Sequence, residues 1–122
     1  LINGIGTDII EIERIKKAVS NENFLKKYFT QNEIDFIEKL NDKKFESYAG
    51  NFAAKEAVSK AFSLGFSKFF PIGIEVLRDE NGKPYVVLHG EALRIFNENG
   101  YTSVLVSISH SKENAIAFAI IV

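Results

Sequence analysis

The 122-residue chain contains no cysteine. That excludes a disulfide framework and thiolate metal sites, and it fits a reducing compartment. Methionine is also absent, so the sequence as read carries no initiator residue. No long hydrophobic run is present: the last apolar stretch, Ala115 to Val122, is far short of the roughly 20 residues a spanning helix needs. No signal-peptide pattern opens the chain, so the expected location is the cytoplasm, with no membrane partner. Nor is there a linker, a tandem repeat or a low-complexity segment. A formal net charge of −1 lacks the basic excess that nucleic-acid binding requires, so no nucleic-acid partner is expected.

What is present reads as one soluble globular domain over residues 1–122, large enough for a real core, with 46% hydrophobic and 25% charged residues. A first strand is expected over about Ile2–Ile10, followed by a short helix through Val19. Thr30-Gln31-Asn32-Glu33 is a capping-box pattern, which predicts a helix from Gln31 to Leu40. A long helix is expected from Lys43 to Leu64, stopped by Gly65. Ile74–Arg78 and Pro84–Leu88 flank an Asn81-Gly82 hairpin turn. Glu91–Asn99 reads as a helix closed by Gly100, and Thr102–Ser109 with Ala115–Ile121 as a second hairpin. The last strand is apolar on both faces and must be covered on both, by helices or by another subunit. Helices mixed with antiparallel strands give an α+β class.

Three segments carry chemistry. In Phe52-Ala53-Ala54-Lys55-Glu56-Ala57-Val58-Ser59-Lys60-Ala61, Glu56 continues an apolar stripe set by Phe45, Ala49 and Phe52. The stripe then turns polar at Ser59, Lys60 and Ser63, as where a core gives way to a lined cleft. Taken alone, Glu56 and Lys60 are an ordinary i,i+4 pair worth about 0.2–0.5 kcal/mol. In Gly4-Ile5-Gly6-Thr7-Asp8-Ile9 the glycines leave bare backbone for a close approach. Asp8 is a poor strand residue; alone, it reads as a cap for the following helix. In Ser107-Ile108-Ser109-His110-Ser111-Lys112-Glu113, alternation places His110 on one face with Val104, Val106 and Ile108. A lone His at a strand end is more often structural than functional.

Together, and in this order and spacing, the three segments and the Asn81-Gly82-Lys83-Pro84-Tyr85 turn resemble the holo-acyl-carrier-protein synthase family, the short group of 4'-phosphopantetheinyl transferases. The resemblance runs from end to end. It implies the α+β fold of that family, antiparallel strands packed with a long central helix. It also implies transfer of 4'-phosphopantetheine from coenzyme A to a serine of apo acyl carrier protein, in support of fatty acid biosynthesis. The other product is adenosine 3',5'-bisphosphate. Asp8 and Glu56 match the family's Mg²⁺-binding pair, a donor set that suits a hard cation shared with phosphate oxygens and water. Glu56 and Lys60 match catalytic positions. The serine proton is assigned to Glu56, directly or through a metal-bound water, and Lys60 offsets phosphate or leaving-group charge. Lys60, Pro84 and His110 fall at positions that bind coenzyme A, His110 through a phosphate.

Where family members often carry Arg just before this run, able to contact a coenzyme A phosphate, this chain has Asn51, which brings no charge. Either neighbouring lysines compensate or coenzyme A binds more weakly. Ser63-Leu64-Gly65 is less glycine-rich than is usual after the helix. Larger relatives carry two such units in tandem with coenzyme A between them, so the resemblance implies a homotrimer with active sites at subunit interfaces. The acidic carrier would meet Arg14, Lys16 and Lys17. Arg14 matches a family docking position, and the two lysines are added on charge alone. Without a partner these three are an ordinary solvated helix face, diluted by Glu11 and Glu13. The alternative function is a non-catalytic coenzyme A or nucleotide-binding module of the same fold. It expects at least one of Asp8, Glu56, Lys60 and His110 to be lost, and all four are intact.

Overall fold

The computed structural model describes residues 1–62 and 71–122. Strand β1 (Gly4–Glu11) leads into α1 (Ile12–Val19), α2 (Glu22–Tyr28) and α3 (Gln31–Glu38). A short 3-10 turn, Asn41–Lys43, precedes the long helix α4 (Lys44–Ala61). After the 3-10 turn Pro71–Gly73 come β2 (Ile74–Arg78), β3 (Pro84–Leu88), α5 (Gly90–Glu98), β4 (Val104–His110) and β5 (Asn114–Ile121). Boundaries agree with the sequence expectation to within about two residues, apart from α2, which it lacked. The expected stop of the long helix at Leu64 and Gly65, and Ser63 on its polar stripe, lie outside the described residues.

β5 is the centre of a three-stranded antiparallel sheet of order β1-β5-β4. Its alternation sorts two apolar rows: Ala115, Ala117, Ala119 and Ile121 are buried, whereas Ile116 and Phe118 are exposed. α4 packs on the buried row and on the inner faces of β1 and β4. The approach is close because the facing residues are small. A Cβ on Gly4 would collide with the Ala61 carbonyl, and one on Gly6 with the Ala57 carbonyl. The close approach anticipated at these glycines is therefore that of α4 itself, and it sets β1 directly against the helix.

β2 and β3 form a separate antiparallel hairpin. Its turn is held by the Asp79 carboxylate, which accepts hydrogen bonds from the backbone N–H groups of Asn81 (2.8 Å) and Lys83 (2.9 Å), with Gly82 at φ +80°. The capping box at Thr30 forms in full: the Thr30 hydroxyl accepts from the Glu33 N–H (3.2 Å) and Glu33 accepts from the Thr30 N–H (3.0 Å). Glu33 then continues into the core. Its carboxylate accepts from Lys55 Nζ at 2.7 Å and from Asn51 Nδ2 at 3.0 Å, and all three residues are buried. Lys55 also donates to the Ile74 carbonyl at 2.5 Å. Burial pushes the Lys55 ammonium down, opposed by the adjacent Glu33 charge. The result is a paired and hydrogen-bonded buried ion, pinning α3, α4 and β2 together. No helix among the described residues is long and apolar enough to cross a membrane.

Candidate active site

Asp8 stands on the inner face of β1, paired across the sheet with Ala117 of the buried row. It does not cap the following helix: the α1 N-cap is Glu11, and no side-chain cap bond is made there. Instead its Oδ1 lies 3.3 Å from Lys60 Nζ, and the same ammonium donates to the Thr7 carbonyl at 3.0 Å. Glu56, one turn before Lys60 on α4, is half-buried beside them. Burial pushes its carboxyl above the usual range, the Asp8 charge pushes it further up, and Lys60 opposes both. The close packing of Gly4 and Gly6 on α4 thus brings two carboxylates and one ammonium together from segments about 50 residues apart.

Three charges in this ratio leave a net negative site. Among the described residues there is no group of three or more His, Cys, Asp or Glu able to hold a metal. A pair of carboxylates is nevertheless what Mg²⁺ ordinarily takes from a protein when phosphate and water complete its shell. Burial and, after it, repulsion from Asp8 both disfavour the Glu56 charge, and a divalent cation would offset them, so the donor set fits the ion. Ser59, placed on the polar stripe by the sequence, is corrected: it is buried, and its hydroxyl donates back to the Lys55 carbonyl at 2.9 Å. Helical phase turns it past the cleft into the core.

Pro84 and His110 meet elsewhere. They line a cavity of about 290 Å³ with Lys43, Glu46, Gly50 and Arg78. His110 Nε2 is 3.5 Å from Glu46 Oε2. Glu46 and Glu56 are ten residues apart on α4, about 15 Å along its axis. The chain therefore carries two separate clusters, an acidic one near the C-terminal end of α4 and a basic one near its start. Asn51 reaches neither. Its amide is buried against Glu33 and the Val76 carbonyl, both at 3.0 Å, and its Oδ1 has no hydrogen-bond partner among the described residues. Lys43, Glu46 and Arg78 were not singled out by sequence reading. Arg78 had one visible signal, a charge closing the alternating row Ile74, Val76.

Arg14, Lys16 and Lys17 are exposed on α1, immediately after β1. Lys16 lies over the Phe45 ring, 5.2 Å from its centroid, so its stem is partly committed to packing on α4.

Residues 4–119 match the model of the 4'-phosphopantetheinyl transferase superfamily. The holo-[acyl-carrier-protein] synthase of Clostridium botulinum (strain Alaska E43 / Type E3) is 54% identical over 122 residues, covering 99% of this chain and 98% of that protein. Among solved structures, the holo-[acyl-carrier-protein] synthase of Neisseria meningitidis superposes with a TM-score of 0.90 at 28% identity, covering 100% of this chain and 99% of the other. The Helicobacter pylori synthase, solved in complex with coenzyme A, gives 0.84 at 31% identity, over 97% and 99% of the two chains. With β1 set on α4 so that Asp8 meets Glu56 and Lys60, and with the match running nearly end to end, this chain belongs to the 4'-phosphopantetheinyl transferase superfamily.

Proposed function

We propose that this chain, acting as one domain, is a holo-[acyl-carrier-protein] synthase that moves 4'-phosphopantetheine from coenzyme A to a serine of apo acyl carrier protein. The observation that carries the reading is the convergence of Asp8, Glu56 and Lys60 from β1 and α4. In the reaction the serine oxygen bonds to the phosphorus bearing pantetheine, the bond to the bridging oxygen breaks, and adenosine 3',5'-bisphosphate leaves. Asp8 and Glu56 would hold Mg²⁺, which would supply neutralisation of diphosphate charge. Lys60 adds a fixed positive charge beside the leaving group. The raised proton affinity of Glu56 suits it to take the proton from the serine hydroxyl. The expected outcome of incubating the protein with coenzyme A, Mg²⁺ and an apo carrier is a carrier heavier by one phosphopantetheine. Unchanged mass with several carriers would replace this reading with a binding module of the same fold.

The separation of the two clusters supports their being half-sites of a homotrimer, in which the His110 cavity of one protomer serves the Asp8–Glu56 site of the next. A fatty-acid-synthesis role in the cytoplasm follows from the same reading. Docking of the acidic carrier belongs on α1, because Arg14, Lys16 and Lys17 lie on the first helix after the strand that carries Asp8 and the carrier serine must reach Asp8. Arg14→Glu is expected to raise the KM for carrier about fivefold at low salt, with little change in that for coenzyme A and with the difference shrinking as salt rises. Unchanged carrier kinetics at low salt would move the docking surface off α1.

A further inference from the structure

We propose that Arg78 binds the 3'-phosphate of coenzyme A, supplying from β2 the guanidinium that Asn51 cannot supply from α4. The inference rests on coenzyme A being the substrate. On β2, Ile74 and Val76 are buried, and Arg78 continues the same side of the strand to its end, opposite Pro84 in the hairpin. There it borders the cavity shared with Lys43, Glu46, Gly50, Pro84 and His110.

The guanidinium is poorly satisfied. Among the described residues its one hydrogen bond is a long contact from Nη1 to the Leu77 carbonyl, at 3.4 Å, and it joins no ion pair there. The Glu33 carboxylate attracts it from a distance, but the Glu33 oxygens already accept from Thr30, Asn51 and Lys55. Burial weakens the charged form of Arg78. A partly desolvated cation without a close carboxylate partner is costly, and five donors in a planar fork match a phosphate. Lys43 adds positive charge to the same cavity, and Glu46, its one acidic lining residue among the described residues, faces His110.

Coenzyme A offers two phosphate groups. Its diphosphate reacts and is placed at Asp8, Glu56 and Lys60. The phosphate left for a second basic site is the 3'-monoester. Asn51 is turned into the core against Val76, two residues before Arg78 on the same strand face, so the strand brings a charge where the helix brings none.

The test is calorimetric titration of the intact protein with coenzyme A and with dephospho-coenzyme A, which lacks only the 3'-phosphate. Arg78→Gln is expected to weaken coenzyme A about tenfold or more, as for a lost charge-assisted pair, while dephospho-coenzyme A stays within about twofold. If Arg78→Gln does not fold, Arg78→Lys keeps the charge without the fork and should weaken coenzyme A by about threefold, again sparing dephospho-coenzyme A. Equal weakening of both ligands, or unchanged binding of coenzyme A, would overturn the assignment and leave the transferase reading standing. A wild-type protein that binds neither ligand would overturn both.

Discussion

Asp8→Asn and Glu56→Gln are each expected to lower turnover by about two to three orders of magnitude, the loss typical of removing a charge aimed at the reacting group. The fold should survive both. Among the described residues Asp8 pairs with Lys60, whose side chain is 56% exposed, so its loss costs about 1 kcal/mol or less. For Glu56, burial and the Asp8 charge disfavour its ionised form and outweigh the opposing charge of Lys60. Glu56→Gln should therefore leave the melting temperature unchanged or slightly higher while activity collapses. That opposite movement separates a functional carboxylate from a structural one. Chelation with EDTA should abolish wild-type turnover, and added Mg²⁺ should restore it. Full activity in a metal-free preparation would remove the metal from the site and leave the two carboxylates without their assigned role.

The same helix shows what adjacent residues can and cannot reveal in a sequence. Lys55 and Glu56 differ by 100° of helical phase, and that rotation separates a core ion from a site carboxylate. Lys55 points at Glu33, a residue legible only as the fourth position of a capping box. That one carboxylate would cap α3 and also neutralise a buried ammonium required its position in three dimensions. Capping box, hairpin turn and strand alternation were readable because each is set by neighbours a few residues away. α2 was not, since seven residues are too few for a periodic stripe, although Asn21 does cap it, accepting from the Asn23 and Phe24 N–H groups at 2.9 and 3.2 Å. Asp8 was ambiguous for a related reason. Capping and site duty look alike in one dimension, and the choice was made by glycines that let β1 settle on α4. The division of site residues into two clusters, with Pro84 and His110 far along α4 from Glu56, depends on where strands end across a sheet, which pattern alone does not give.

The uncovered face of the sheet carries the remaining large effect. α4 covers only one side of β5, so the strand that had to be covered twice is covered once within the described residues. On the other side Ile5, Ile9, Leu105, Ile116 and Phe118 are each at least 42% exposed. The register makes them one patch: Ile5 and Leu105 flank Ile120, Ile9 flanks Ile116, and Thr7 and Ser107 flank Phe118. A contiguous apolar face spread over three strands is unusual on a monomer and ordinary at a subunit interface. Phe118 lies mid-strand at its centre, so Phe118→Glu would place one desolvated carboxylate from each protomer into the shared core. Scattering from the wild-type protein is expected to give the mass of three chains, and from Phe118→Glu the mass of one. The variant should keep its far-ultraviolet circular dichroism, because the row packed on α4 is untouched. Its transferase activity should fall by about a hundredfold or more, since in the proposed trimer the Asp8–Glu56 half-site depends on the basic cavity of a neighbour to hold coenzyme A. A Phe118→Glu monomer that turns over normally would place the whole site within one chain, and it would require the ligand to bridge the 15 Å or so between the two half-sites along α4.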